Sequence, residues 1–124
     1  MQELLDRIVA ALGNLRLHAT VSEQHIHRDI GEALDRAGIK HEHEVKLRPR
    51  CRVDFLCDGG VAIEVKRGKQ HTGRVEAQVA RYAASPKVSA VVLVLERNLI
   101  HTPAGAHGKP VRVVSLATNW GIVT

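Results

Sequence analysis

Three residues near the middle of the chain have types and spacing that suit acid, base or metal-binding chemistry. Asp54 lies in the largely apolar run 51–57, and Glu64 and Lys66 lie in the next such run, 61–66. A strand that is half buried alternates apolar and polar side chains, and its inner positions are normally apolar. Two acids and a lysine inside two such runs therefore indicate a candidate site.

The turn between the two runs decides whether the acids meet. Residues 58–60 read Asp-Gly-Gly, which is a strong hairpin signal. If all three residues form the loop, Asp54 opposes Glu64 directly, with Cβ atoms about 4.5–5.5 Å apart. Because side chains alternate along a strand, Lys66 lies on the face of Glu64. A loop of two residues would instead turn Asp54 away from Glu64.

Opposed carboxylates repel each other and destabilise a pair of strands, so something must compensate. Mg²⁺ or Mn²⁺ does so directly, because such an ion binds carboxylates and accepts phosphate oxygens. A lysine beside the ion can orient the attacking water or stabilise charge on a phosphate. The pattern thus predicts metal-assisted phosphodiester hydrolysis by Asp54, Glu64 and Lys66. The alternative is a solvated hairpin face on which Lys66 neutralises the two acids.

Hydrophobic periodicity predicts the elements that would position these residues. It predicts helices over 2–17, 21–37 and 73–85, and strands over 41–47, 51–57, 61–66, 88–95 and 111–116. Thr20-x-x-Glu23 fits a capping box at the start of the second helix. The wholly apolar run 88–95 is typical of a central strand, and 96–110 is expected to form a loop. This order favours an α/β fold with a mixed central sheet flanked by helices.

Residues and elements together resemble the PD-(D/E)xK nuclease superfamily, which has the restriction-endonuclease-like fold. Its signature is an acid on one strand and Glu-x-Lys on the next, here Asp54 and Glu64-Val65-Lys66. The elements from 21 to 95 resemble the α-β-β-β-α-β core of that family. Residues 1–19 are then an extra N-terminal helix of a single domain, 1–124. Val53 stands where the family has proline, a position that carries no chemistry.

The resemblance implies further site residues. It makes the Val65 carbonyl an additional metal ligand. Gln78-x-x-x-Tyr82 is similar to the Gln-x-x-x-Tyr element of RecB-like members, which implies a role in placing the lysine or the nucleic-acid backbone; the alternative is a surface Gln beside a packed Tyr. Other members carry a metal-binding acid on the first core helix. Glu23 is our choice for it, although Glu23 equally fits a helix cap, and Glu44 is a weaker candidate.

The chain is basic, with a net charge of +5 and an isoelectric point of about 9.7, which favours an anionic partner. Aromatic residues are scarce, so phosphate contact fits better than base stacking. We expect DNA as the partner, held by basic residues around the hairpin: Arg52, Arg67, Lys69 and Arg74. The alternative is an ordinary solvated basic face.

The eight histidines do not predict a zinc site. His25-x-His27 lies in a predicted helix, where residues two apart diverge. His41-x-His43 would share a strand face, but no third ligand is evident beside it. Zinc is therefore not expected from the sequence.

The cysteines and the hydropathy of the chain limit the classes of protein to which it can belong. Cys51 and Cys57 fit neither a disulfide framework nor a zinc knuckle, so reduced thiols in a cytoplasmic protein are expected. No apolar run has the length of a membrane span, and the N-terminus lacks a signal-peptide pattern. The short chain has no separate domain for choosing a target, which is compatible with a homodimer. Two rival functions remain: a non-catalytic nucleic-acid-binding module, and a subunit of a larger nuclease complex with the same fold.

Overall fold

The described part of the chain folds into three helices and six strands. A computed structural model describes residues 2–13, 15, 22–97 and 105–116. In chain order the elements are α1 (Gln2–Leu12), α2 (Glu23–Arg36), β1 (His41–Arg48), β2 (Cys51–Cys57), β3 (Val61–Lys66), α3 (Thr72–Ala83), β4 (Ala90–Leu95), β5 (Gly105–Ala106) and β6 (Lys109–Ser115). The predicted α/β class is confirmed. None of these helices has the length and apolar character needed to cross a bilayer.

The six strands form one mixed sheet in the order β1-β2-β3-β4-β6-β5. The strands β1, β2 and β3 are antiparallel neighbours, whereas β4 runs parallel to both β3 and β6. Parallel neighbours need a crossover connection, and α3 supplies it between β3 and β4. Every residue of β4 is buried, as its continuous apolar sequence predicts for a strand covered on both faces.

Two apolar cores cover the two faces of the sheet. The helices α1 and α2 pack on one face, against Ile63 and Val65 of β3 among others. The helix α3 packs on the other face, where Ala62 belongs to its core.

Cys57 lies in the first core and Cys51 in the second, and both thiols are free. Burial, aided by the charge of a neighbouring acid, raises the pKa of Cys57 to about 12, which makes it an unreactive thiol.

The strands β1 and β2 change faces together halfway along their length. Val53 packs in the α3 core and Phe55 in the other core, although residues two apart in a regular strand share a face. Their partners across the pair do the same, since Val45 packs against the α3 core and the His43 ring against Phe55. The change falls at Glu44, whose backbone φ is +55°, in the left-handed region.

The predicted bounds of all three helices differ from the structure, by one or two residues at α3 and by more at the end of α1. The helix α1 ends at Leu12, not at residue 17, because Gly13 forms a turn there; residues 14 and 16–21 lie outside the described part. The helix α2 begins at Glu23, and its N-cap is Ser22, whose hydroxyl accepts a hydrogen bond from the His25 N–H at 3.1 Å. The predicted cap residue Thr20 lies outside the described residues.

The predicted loop over 96–110 is wrong in its last part. Gly105–Ala106 forms the short strand β5, which pairs with the start of β6. The two turn residues, His107 and Gly108, have φ values of 50° and 72°, as a tight two-residue hairpin requires. A strand of two residues carries no periodicity, so the sequence pattern could not separate it from a loop.

The loop 58–60 holds β3 against the segment that enters β4. The Gly60 N–H donates to the Cys57 carbonyl at 2.9 Å and closes the turn, and the Gly60 carbonyl accepts from the Ser89 N–H at 2.7 Å. Gly60 has φ +85°, and a Cβ there would lie 2.5 Å from Ser89 Oγ and 2.8 Å from the Lys87 carbonyl oxygen. Glycine is therefore required at this position by both conformation and space.

We expect Gly60→Ala to lower the free energy of unfolding by about 2–4 kcal/mol, because strain and a backbone clash act together. Gly68→Ala is the matched control, since Gly68 also has a positive φ but has open space around its Cβ position. It should cost about 1–2 kcal/mol, from backbone strain alone. Urea unfolding of both variants measures the difference. Equal losses would show that the close packing at Gly60 contributes nothing.

Candidate functional site

The register between β2 and β3 is the one that a three-residue loop predicts. Phe55 pairs with Ile63, and Cys57 pairs with Val61. Backbone pairing between these strands stops at Phe55–Ile63, whereas β2 continues beside β1 and β3 continues beside β4. The next residue of β2 is Asp54, so the predicted acid lies at the point where the two strands separate.

Two carboxylates occupy the place of the missing backbone bonds. The Asp54 N–H donates to Glu64 Oε1 at 3.1 Å, and the Val65 N–H donates to Asp54 Oδ2 at 2.8 Å. Each acid thus accepts a backbone donor of the opposite strand. We call this arrangement of Asp54, Glu64 and Val65 the strand fork. Sequence alone predicted the meeting of the two acids, but not the bonds that join them.

The two acids contact different helices. Asp54 Oδ2 lies 3.6 Å from Nε2 of His27 on α2, whereas Glu64 is hydrogen-bonded to Tyr82 on α3. The alternation of side chains in a regular pair of strands had predicted one shared face for the two acids. The structure differs because β2 changes faces at Asp54, so that the fork is reached from both sides of the sheet.

Glu64 is buried, with 7% of its surface exposed, and its charge is disfavoured. Burial, and next the charge of Asp54, raise the pKa of Glu64 to about 7, although Lys66 Nζ at 3.4 Å from Oε2 opposes the shift. Burial and the neighbouring Glu64 also raise the pKa of Tyr82 well above its usual range. Tyr82 therefore keeps its proton, and its hydroxyl donates a hydrogen bond to Glu64.

The strand fork fits a divalent cation by the chemistry of its donors. In a strand, the N–H and C=O groups of one residue point to the same side. Since the Val65 N–H points to Asp54, the Val65 carbonyl also faces the gap between the strands. Two carboxylates and a carbonyl are hard oxygen donors of the kind that Mg²⁺ and Mn²⁺ prefer. A cation there would offset the repulsion that raises the pKa of Glu64.

The predicted pair on α3 does face the candidate site. Tyr82 contacts Glu64, and Gln78 lines a cleft of about 310 Å³ together with Lys66. We call this the basic cleft; its polar lining is Lys66, Gln70, Arg74, Gln78 and Arg81. The sequence analysis missed Gln70 and Arg81. The spacing of 74, 78 and 81 along one helix face was the signal that could have found Arg81.

The four predicted phosphate-binding residues lie in different surroundings. Arg74 lines the basic cleft and Lys69 is exposed nearby. Arg67 is half-buried and forms an ion pair with Glu96 at 3.3 Å, so its charge is largely compensated. Arg52 is exposed on β2, where its neighbour on β1 is another cation, Lys46.

The predicted metal ligand on the first core helix, Glu23, does not reach the acids through any contact among the described residues. It is exposed and lines a second cleft, of about 610 Å³, on the α2 side of the sheet. The α2 residue that contacts Asp54 is His27, one turn further along the same stripe. Its position four residues after Glu23 was the signal, since residues four apart share a helix face.

This second cleft contains a group of histidines that the sequence analysis did not foresee. Nδ1 of His27 lies 2.8 Å from Nε2 of His43, and both rings pack on Phe55, with ring centroids 5.5 and 4.8 Å from it. Glu44 lines the same cleft, which we call the histidine cleft. No third ligand was evident beside either histidine pair in the sequence; the structure instead joins one member of each pair, because α2 brings His27 to the strand that carries His43.

The contribution of Glu64 to the stability of the metal-free protein should fall as pH rises from about 4.5 to 7. The folded chain holds a proton on Glu64 in that window, because its pKa is raised from 4.5 to about 7, while the unfolded chain loses it. Glu64→Gln removes this titration. Relative to the variant, the parent should lose up to about 3 kcal/mol across the window, at about 1.4 kcal/mol per pKa unit.

Urea unfolding in EDTA at pH 4.5 and pH 8 measures this difference. Glu76→Gln, at an exposed acid on α3, is the control and should show no such dependence. A Glu64→Gln variant whose stability relative to the parent is the same at both pH values would contradict the raised pKa.

Comparisons with protein-family models, with curated proteins and with solved structures gave no match to this chain. The geometry of the strand fork and of the two clefts beside it is therefore the basis for assigning a function.

Proposed function

We propose that this protein is a metal-dependent nuclease, a Mg²⁺-dependent deoxyribonuclease that hydrolyses phosphodiester bonds of DNA. The observation that carries the proposal is the strand fork, where the Asp54 N–H donates to Glu64, the Val65 N–H donates to Asp54, and Lys66 lies 3.4 Å from Glu64. Two acids and a lysine at a strand junction, beside a cleft lined by cations, suit the hydrolysis of a phosphate ester.

The order of elements supports a restriction-endonuclease-like core. From α2 to β4 the chain runs α-β-β-β-α-β, as that core requires, and the acids lie on its second and third strands. The helix α1 and the hairpin β5–β6 are additions at the two ends of this order. The single-domain assignment for residues 1–124 follows from the same reasoning.

Each residue of the fork has a role in this proposal. Asp54, Glu64 and the Val65 carbonyl would hold Mg²⁺ or Mn²⁺, which supplies charge stabilisation at the phosphate and a more acidic water. Lys66 positions the attacking water or stabilises the charge that develops on the phosphate. Tyr82 fixes the orientation of Glu64 by donating a hydrogen bond to that carboxylate.

The basic cleft offers a path for the nucleic-acid backbone. It begins at Lys66 and carries Arg74 and Arg81 along one face of α3, with two glutamines between them. Arginine binds phosphate through several N–H donors, and the glutamine amides add neutral N–H donors to the same phosphate oxygens. Such contacts hold a strand without reading its sequence. A homodimer would extend this path, and it stays a prediction.

A second candidate is a binding module, or a subunit of a larger nuclease complex, that holds DNA without cutting it. The reciprocal bonds at the fork favour this alternative, because Glu64 Oε1 and Asp54 Oδ2 already accept backbone donors. A fork of this kind could serve only to satisfy backbone groups where two strands separate. A measurement of DNA cleavage distinguishes the nuclease from the module or subunit that only binds DNA.

The nuclease proposal predicts metal-dependent cleavage that requires both Asp54 and Lys66. The purified chain is incubated with single-stranded, double-stranded and branched DNA, and with RNA, in Mg²⁺, Mn²⁺ or EDTA. Asp54→Ala and Lys66→Ala should each reduce the cleavage rate at least about 100-fold, since each removes a group that acts on the phosphate.

Lys87→Ala is the matched control, because it removes an exposed lysine at the far end of β3 and β4. It should cut at the parental rate. Cleavage that persists in EDTA, or in either site variant, would refute the assignment of roles. DNA binding without cutting under every metal would favour the binding module.

A further inference from the structure

We propose that the histidine cleft holds a second metal site, specific for Zn²⁺ or a similar transition-metal ion, with His27, His43 and Glu44 as ligands. This site is distinct from the oxygen donors of the strand fork, and the proposal does not depend on nuclease activity. Three observations carry it: the convergence of three ligand atoms, an unpartnered buried nitrogen, and the backbone conformation of Glu44.

The ligand atoms of the three side chains lie close together. One ligand atom from each of His27, His43 and Glu44 lies within 4.8 Å of the other two. Nδ1 of His27 and Nε2 of His43 are 2.8 Å apart. With metal–nitrogen bonds of about 2.0–2.1 Å, adjacent ligands of one ion lie roughly 3 Å apart. The two imidazoles are thus close to the spacing that a shared ion needs, and exposed Glu44 has the freedom to complete it.

The second nitrogen of His27 lacks a hydrogen bond. His27 is 8% exposed, and its Nε2 has no hydrogen-bond partner among the described residues. An unsatisfied polar atom in such a place costs about 1–3 kcal/mol. Nε2 faces Asp54 Oδ2 at 3.6 Å. An ion on Nδ1 would fix the proton on Nε2 and direct it to that carboxylate, the arrangement in which proteins usually orient a metal-binding histidine.

Glu44 reaches the cleft only through its unusual backbone. Neighbouring residues of a regular strand point to opposite faces, so Glu44 would be directed away from His43. Its left-handed conformation, with φ +55°, instead lets both side chains line the same cleft. A residue with a side chain is strained there by about 1–2 kcal/mol. A bond from Glu44 to an ion would offset that strain.

The donor types select the metal. Two imidazoles and one carboxylate suit Zn²⁺, whereas Mg²⁺ and Ca²⁺ prefer oxygen donors alone. Zinc with two histidines and one glutamate keeps an open coordination position, which here would face the cleft of about 610 Å³. The proton that lies between the two ring nitrogens moves to the other nitrogen of its own ring as the ion binds, so two neutral imidazoles release no net proton.

Calorimetry on the untagged full chain, with Zn²⁺ alone as the probe, tests the proposal. One Zn²⁺ should bind per chain, and excess Mg²⁺ should not displace it. His43→Ala and Glu44→Gln each remove a ligand from an exposed position, so the fold should survive, as circular dichroism would verify. Each should weaken binding at least about 100-fold, a loss larger than that expected for a residue that only supports a ligand. Co²⁺ substitution should give a visible absorption band that these variants lose.

His25→Ala is the matched control, because His25 lies on α2, is exposed and is hydrogen-bonded to Arg28, outside the cluster. It should bind Zn²⁺ as the parent does. Lys66→Ala should also bind Zn²⁺ normally, which separates this site from the strand fork. Parental affinity in His43→Ala, no binding to the parent, or displacement by Mg²⁺ would each overturn the proposal.

Discussion

The separation of β2 from β3 is the constraint on which the rest of the site depends. Where the backbone ladder stops, two carboxylates take over its hydrogen bonds, and Glu64 is buried beside Asp54. Burial, and next the like charge of Asp54, disfavour the charged form of Glu64, which is why the pKa of Glu64 rises to about 7. The positive charge of Lys66 and the hydrogen bond from Tyr82 offset part of this cost. The fork is therefore stable but remains open to a further positive charge.

The surrounding fold makes this arrangement accessible from two sides. Because β1 and β2 change faces together, α2 approaches Asp54 through His27 while α3 approaches Glu64 through Tyr82. A cleft adjoins each approach, one with cations along α3 and one with histidines beside α2. The continuous apolar strand β4 and the two cores around it hold the fork in place. Rigid elements thus support acidic groups that would otherwise repel each other.

Local sequence signals predicted the parts of the fold that depend on local chemistry. The Asp-Gly-Gly turn gave the correct register of the hairpin, because only glycine tolerates the positive φ values and the close approach at Gly60. The apolar run of β4 predicted a strand buried on both faces. The position of Gln78 and Tyr82 on one face of α3 followed from helical spacing.

Contacts between elements that are far apart in the chain could not be predicted from the sequence. Nothing in the residue type marks Glu44 for a left-handed backbone, so a regular strand was assumed and the change of faces was missed. The meeting of His27 with His43 joins a helix to a strand, and neither histidine pair alone signals it. The two-residue strand β5 is too short to show the alternation of apolar and polar residues that identifies a strand. Each miss reflects tertiary packing that overrides a local pattern.

The most direct test of this account is a carbon-detected NMR titration of the Glu64 carboxyl group, without metal and with saturating Mg²⁺. The account predicts a pKa of about 7 without metal and a fall to the ordinary value of 4.5 or below when Mg²⁺ is bound. That result would show that the negative charge on Glu64 is unfavourable in the metal-free fork and that a bound cation stabilises it. A Glu64 pKa near 4.5 without metal, or a Glu64 pKa that does not change when Mg²⁺ is added, would contradict the account.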